Sequence, residues 1–217
     1  MLNLMNFVER LEQDGFAVTD FACQGDELAG AVQEIAASLG EVVPGRTAAV
    51  ELLEPTEMQD AHRHSLSALY GKGDFPWHMD TAHRTEPVRF VVMACAECSE
   101  ATAPTVIAPW REQISSVLTK TEIASALFLV KNGRSSFYSG MWVRACNYLR
   151  YDPGCMAPVN EDAVIVLKKM RQWSPSTQHS VDWKMGRICV FDNWRMLHRR
   201  GSVDGSAPRT LLRCYSR

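Results

Sequence analysis

The stretch Phe75-Pro76-Trp77-His78-Met79-Asp80 decides how the chain is read. His78 and Asp80 stand two positions apart, and in an extended strand alternate side chains project from the same face. An imidazole nitrogen and a carboxylate oxygen side by side supply two-thirds of a 2-His-1-carboxylate facial triad. That arrangement holds non-haem Fe(II) and leaves the opposite face of the metal open. The third ligand has to be a distant histidine, and Asp192-Asn193-Trp194-Arg195-Met196-Leu197-His198 offers one. Alone, a His-x-Asp tripeptide is common, so its weight rests on what surrounds it.

Working outward, Leu66, Ala68 and Tyr70 alternate through Ser65–Tyr70, which reads as a strand before the Gly71-Lys72-Gly73-Asp74 turn. The metal strand follows, then a continuous apolar strand at Val88–Ala94 and another at Pro104–Ala108. Residues 110–126 are helical or mixed, and strand-like stretches return at 127–131 and 136–144. Asn160 caps a helix with acids in its first turn and Lys168, Lys169 and Arg171 in its last, which suits the helix dipole. Strands at Ile188–Phe191 and Arg209–Tyr215 close the chain. Arg209, Leu211, Arg213 and Tyr215 would share a face there, and two arginines on one short strand make a fork for a carboxylate.

Upstream, residues 4–13 read as a helix and Phe16-Ala17-Val18-Thr19 as a strand. A second helix, N-capped by Asp26 and ended by Gly40, puts Leu28, Val32, Ile35, Ala36 and Leu39 on one face. Ala48 to Leu53 reads as a strand. Early helices and many short later strands predict a mainly β protein with flanking helices, a β-sandwich or jelly roll. No repeat, linker or composition shift divides the chain, so residues 1–217 read as a single domain with an N-terminal helical flank.

The composition is that of an ordinary globular protein, 46% hydrophobic and 22% charged. Lys plus Arg is 23 against Asp plus Glu 25, which supplies no electrostatic reason to expect nucleic acid or an anionic membrane as partner. No run of apolar residues is long enough to span a bilayer. The first residues reach Glu9 and Arg10 too soon for a signal-peptide core, so a cytoplasmic location is expected. The 7 cysteines are expected to be reduced and mostly buried. Cys95-Ala96-Glu97-Cys98 ends an apolar run instead of opening a helix, which favours plain core thiols over a redox motif.

Taken together, the motifs resemble the TauD/TfdA family of Fe(II)- and 2-oxoglutarate-dependent dioxygenases. His78, Asp80, Pro87, Thr105, Asp192, Asn193, Leu197, His198, Arg209 and Arg213 stand at that family's spacings. The overlap runs from about Ser65 to the C-terminus, with residues 110 to 185 matched only loosely. The resemblance implies a double-stranded β-helix in which His78, Asp80 and His198 hold iron. It implies that Arg209 pairs with the distal carboxylate of 2-oxoglutarate, that Thr105 hydrogen-bonds the same end, and that Arg213 lies nearer the substrate. O₂ and 2-oxoglutarate would yield succinate and CO₂ while a C–H bond of a small polar metabolite, an amino acid or biosynthetic intermediate, is oxidised. Halogenating relatives carry a small residue where Asp80 stands, so the resemblance implies hydroxylation first, with desaturation or another oxygenase-type outcome as alternatives.

Two departures from the pattern stand out. Arg199 replaces the usual Gly after the distal histidine, setting an Arg199-Arg200 pair beside the site. The interval from Asp80 to His198 is also short, which predicts an abbreviated lid and an open pocket. His83 is a candidate substrate contact, or a hydrogen-bonded loop histidine. His62, His64 and His179 read as surface or loop residues, and Trp77, Trp142 and Trp194 as core or pocket wall. Two other readings use the same residues: a zinc hydrolase on the His-x-Asp…His set, and a jelly-roll sensor that binds 2-oxoglutarate without turnover.

Overall fold

Two helices, α1 (Leu4–Asp14) and α2 (Gly25–Leu39), open the chain with β1 (Phe16–Asp20) between them. This computed structural model describes residues 4–63, 65–203 and 208–217, with side chains from residue 7. His64 and the Asp204-Gly205 link fall outside the described residues. The chain continues through β2 (Val42–Val43), β3 (Val50–Leu53), α3 (Ser67–Tyr70), β4 (Phe90–Cys98) and β5 (Thr105–Pro109). Next come α4 (Lys120–Ser125), β6 (Leu127–Val130), β7 (Phe137–Gly140), β8 (Trp142–Val143) and β9 (Tyr148–Leu149). The last part holds β10 (Met156–Pro158), α5 (Glu161–Arg171), β11 (His179–Val181), β12 (Arg187–Asp192), β13 (Met196–Arg200) and β14 (Arg209–Ser216).

The pairing is antiparallel throughout the named sheets. The major sheet runs β1-β12-β4-β14-β2, with β3 also on the edge of β14, and the smaller β11-β5-β13 sheet forms the other side of the jelly roll. Strand β4 shows why its sequence is a continuous apolar run. Val92 and Ala94 face α1 and α2, packing with Leu11, Leu28, Val32 and Ile35. Val91, Met93 and Cys95 face the other way, against Ile107, Phe191, Leu211 and Tyr215. A strand buried on both faces has no polar positions to alternate. Behind the smaller sheet, a third cluster joins Ala108, Phe128, Val130 and Leu197 to Val166 and Met170 of α5.

Several local expectations change. Ser65–Tyr70 is not a strand; Tyr70 N–H donates to Leu66 O at 2.9 Å and α3 forms. Leu66 and Tyr70 share a face at helical i, i+4 spacing as readily as at period two, which is how the short run misleads. Gln24, not Asp26, occupies the N-cap position of α2, and Asp26 sits in its first turn. The apolar strand starts at Phe90 and extends to Cys98. The metal strand shrinks to a single bridge, His78 with His198, because Thr81 turns left-handed at φ 57° and ends the extended run.

Candidate active site

The bridge between His78 and His198 is made by paired backbone hydrogen bonds of 3.0 and 2.9 Å, so the two rings start side by side. Alternation survives locally: Trp77 and Met79 join the core, while His78 and Asp80 face a cavity of about 640 Å³ that Phe75 also lines. Nε2 of His78 lies 3.9 Å and Nε2 of His198 3.8 Å from Asp80 Oδ1. One donor atom from each of the three residues falls within 4.8 Å of the others. His78 Nδ1 lies 2.9 Å from Pro76 O, which acts as the acceptor of an Nδ1–H and leaves Nε2 its lone pair.

The carboxylate is divided between two tasks. Oδ1 faces the histidines, while Oδ2 accepts from Arg213 Nη1 at 3.2 Å and Tyr215 Oη at 3.1 Å. Burial works to raise the Asp80 pKa, but the charge of Arg213, those of the two histidines and the Tyr215 hydroxyl outweigh it and hold it at about 2. Burial pushes His198 down to about 3, with His78 and Arg213 acting in the same direction and Asp80 against. An ionised carboxylate and a neutral imidazole are the states a metal requires. The donor set thus fits a divalent metal of the non-haem iron kind.

The segment carrying Asp80 is fixed from outside. Asn193 accepts from Asp80 N–H at 2.9 Å and donates to Asp80 O and Val88 O at 3.0 and 2.9 Å. Thr81 Oγ1 accepts from Val88 N–H at 2.9 Å. Arg150, 1% exposed, donates to the carbonyls of Ala82, Arg84 and Thr85 and to Tyr148 Oη. Sequence reading assigned no task to Arg150; an arginine serving carbonyls has no partner visible as an opposite charge in the sequence.

Arg213, expected nearer the substrate, is engaged by two carboxylates. Besides Asp80 it donates to Glu51 Oε2 at 3.0 Å. Glu51 Oε1 accepts from the Arg46 and Thr47 amides, and a Cβ on Gly45 would stand 2.2 Å from the Glu51 carboxyl, so the loop can wrap it only with glycine there. Nothing in the sequence linked Glu51 to the site. Tyr215 was legible, sharing the face of Arg213 on β14.

Arg209 is 7% exposed and lines the same cavity. It donates to Ala103 O at 3.3 Å and Thr105 Oγ1 at 3.4 Å, and has no carboxylate partner among the described residues. Burial, and then the charge of Arg200, lower its pKa to about 10. A buried guanidinium without a counter-ion fits the carboxylate of a co-substrate. His83 also faces the cavity; burial, followed by the charges of Arg84 and Arg46, favours its neutral form. Asp152 is another cavity residue, its Oδ1 accepting from Gly154 N–H at 2.7 Å. His62 borders the cavity, whereas His179 lies on β11 with its ring 4.6 Å from Phe16.

The family model for the taurine catabolism dioxygenase TauD, TfdA family matches residues 115–215. Among solved structures, asparagine oxygenase in complex with Fe(II), 2S,3S-3-hydroxyasparagine and succinate superposes with TM-score 0.74 at 18% identity, over 99% of this chain and 77% of that one. The chain shares the jelly-roll fold of that enzyme. PvcB from Pseudomonas aeruginosa gives TM-score 0.70 at 17% identity, over 99% and 80%. The non-haem iron oxygenase OrfP, in complex with Fe, succinate and (3S)-hydroxy-L-Arg, gives 0.73 at 14%, over 100% and 81%. No curated protein sequence matches. The TauD match takes in His198, Arg209 and Arg213; His78 and Asp80 lie before it, and the fold brings them to the same cavity. No helix among the described residues is long and apolar enough to cross a membrane.

Proposed function

We propose that this chain is an Fe(II)- and 2-oxoglutarate-dependent oxygenase that hydroxylates a C–H bond of a small polar metabolite of the amino-acid class, releasing succinate and CO₂. One observation carries the reading: a His78–Asp80–His198 donor set and a buried, acid-free Arg209 line one cavity. Iron held there supplies the redox chemistry that couples O₂ and 2-oxoglutarate to C–H oxidation. The chain's own residues bind and orient. His78, Asp80 and His198 hold the metal, Asn193 and Arg150 fix the Asp80 segment, and Arg213 with Tyr215 keeps Asp80 ionised and turned toward the histidines. Arg209 and Thr105 receive the distal carboxylate of 2-oxoglutarate.

The cavity lining carries both signs of charge, with Arg46 and Arg84 on the positive side and Asp152 among its acids, and a neutral His83 beside them. A zwitterionic amino acid matches such a lining, and the named products in the asparagine oxygenase and OrfP complexes are hydroxylated amino acids. The reading includes Arg213 as a residue at the substrate edge that acts through Asp80. All 7 cysteines are free, which fits action in the reducing cytoplasm by one domain spanning the chain. The test is succinate formation by the iron-loaded protein, measured with a panel of free L-amino acids and scored for a substrate gaining one oxygen atom. Stoichiometric 2-oxoglutarate binding with no succinate under any condition would favour the sensor. Activity with zinc and without 2-oxoglutarate would favour the hydrolase.

A further inference from the structure

The arginine pair that follows the distal histidine divides between outside and inside. Arg199 is exposed, its guanidinium 4.8 Å from the ring centre of Trp77. Arg200 turns inward and is 7% exposed. In the pairing of β13 with β5, Arg200 stands directly across from Thr105. Directly opposed residues of antiparallel strands carry their side chains on one face, with Cβ atoms about 4.5–5.5 Å apart. Thr105 Oγ1 in turn accepts from Arg209 at 3.4 Å and from Trp183 Nε1 at 3.1 Å. Two buried guanidiniums therefore flank one threonine on the wall of the cavity.

Arg200 has little to offset its charge. Its Nη2 donates to the carbonyls of Gly71 and Gly73 at 3.0 and 3.1 Å, and the group sits 4.1 Å from the ring centre of Phe75. Its Nε is buried and makes no hydrogen bond among the described residues. Asp74, the acid whose charge bears on it, has its Oδ1 accepting from the Ser202 amide at 2.5 Å and forms no ion pair with Arg200 among the described residues. Two like charges in one poorly solvated wall repel each other, and an anion between them offsets that repulsion.

We propose that Arg200 is a second cation of the 2-oxoglutarate subsite, gripping the same distal carboxylate as Arg209 and Thr105. The proposal rests on the function proposed above and adds a residue that the family resemblance does not assign. It also gives a task to a buried arginine that stands two positions past a candidate metal histidine and directly across from Thr105.

The test separates a carboxylate contact from a merely structural one by using two ligands on metal-loaded, oxygen-free protein. One is 2-oxoglutarate; the other is 2-oxobutanoate, which has the same 2-oxo acid head and no distal carboxylate. Calorimetry on Arg200→Gln should show 2-oxoglutarate weakened about 10- to 100-fold, as for loss of a charge-assisted hydrogen bond. Binding of 2-oxobutanoate, measured directly or by displacement at millimolar concentration, should change less than about 2-fold, and metal stoichiometry should not change. Arg200→Lys, which keeps the charge, should recover part of the loss. Equal weakening of both ligands, or unchanged 2-oxoglutarate affinity in Arg200→Gln, overturns the proposal. If Arg200→Gln fails to fold, Arg200→Lys binding both ligands with equal losses overturns it as well. Failure of the wild-type metal-loaded protein to bind 2-oxoglutarate would instead bring down the proposed function, a separate and recognisable result.

Discussion

Asn193 makes three hydrogen bonds with one amide, and two of them hold the backbone on either side of the Asp80 side chain. Replacing it with Ala leaves buried N–H and C=O groups unpaired, each at about 1–3 kcal/mol. Asn193→Ala is expected to lower the melting temperature and to weaken metal binding about 10- to 100-fold, as loss of an outer partner of a metal ligand does. A metal titration of the folded variant checks it. Arg213 lies between Asp80 and Glu51, so Arg213→Ala strands two carboxylates that are both nearly buried. Breaking such a pair costs about 3–5 kcal/mol. The expected result is weaker metal binding together with lower stability in chemical denaturation, while retained metal affinity would place Arg213 on the substrate alone. At Arg209 the expectation concerns the co-substrate: Arg209→Ala should weaken 2-oxoglutarate by about two to three decades and leave metal binding nearly unchanged, with Arg209→Lys falling between. Spectral titration of 2-oxoglutarate into the iron-loaded variants measures both.

Among the elements, β1 meets β12 with Asp20 directly opposite Arg187, and Asp20 accepts from Arg187 Nε at 2.8 Å with Lys184 Nζ also 2.8 Å away. The Arg187 hydrogen bond is the main cause holding the Asp20 carboxyl at about 2, below its ordinary 3.8. A depressed folded-state pKa contributes stability above the unfolded value of about 3.9, lost as pH falls through the folded one. Because the side chain is 44% exposed, Asp20→Asn should cost less than about 1 kcal/mol. That difference in urea midpoint should be present at pH 6 and shrink between pH 4 and pH 2. What was legible at this scale followed burial. β4 and β14 announce themselves because both faces of each meet apolar layers. The turn of α3 did not, since six residues satisfy both periods. The strand β13 was missed because its run Met196–Arg200 mixes core residues with His198 and two arginines that the cavity uses. The three candidate ligands were readable from the His-x-Asp spacing taken together with the family resemblance, which marked His198. Glu51 and Arg150 were not, since the amides, carbonyls and side chains they bind are brought to them only by the fold.

Across the whole molecule, the jelly roll places its two sheets around a shared apolar interior and opens that interior at one end, where the cavity lies. Residues 54–56, 60–62 and 65–67 edge the cavity, so the short interval from Asp80 to His198 is partly offset by loops from earlier in the chain. Whether that end binds iron and 2-oxoglutarate together decides the proposed function. The most direct measurement is an oxygen-free titration of 2-oxoglutarate into the iron-loaded protein, following the visible absorption band of the iron–2-oxo acid chelate, in wild type and in Asp80→Ala. A saturable band with one iron and one 2-oxoglutarate per chain in wild type, and no band in Asp80→Ala, is the predicted result. Absence of the band in wild type at saturating iron and 2-oxoglutarate, or an undiminished band in Asp80→Ala, would contradict it.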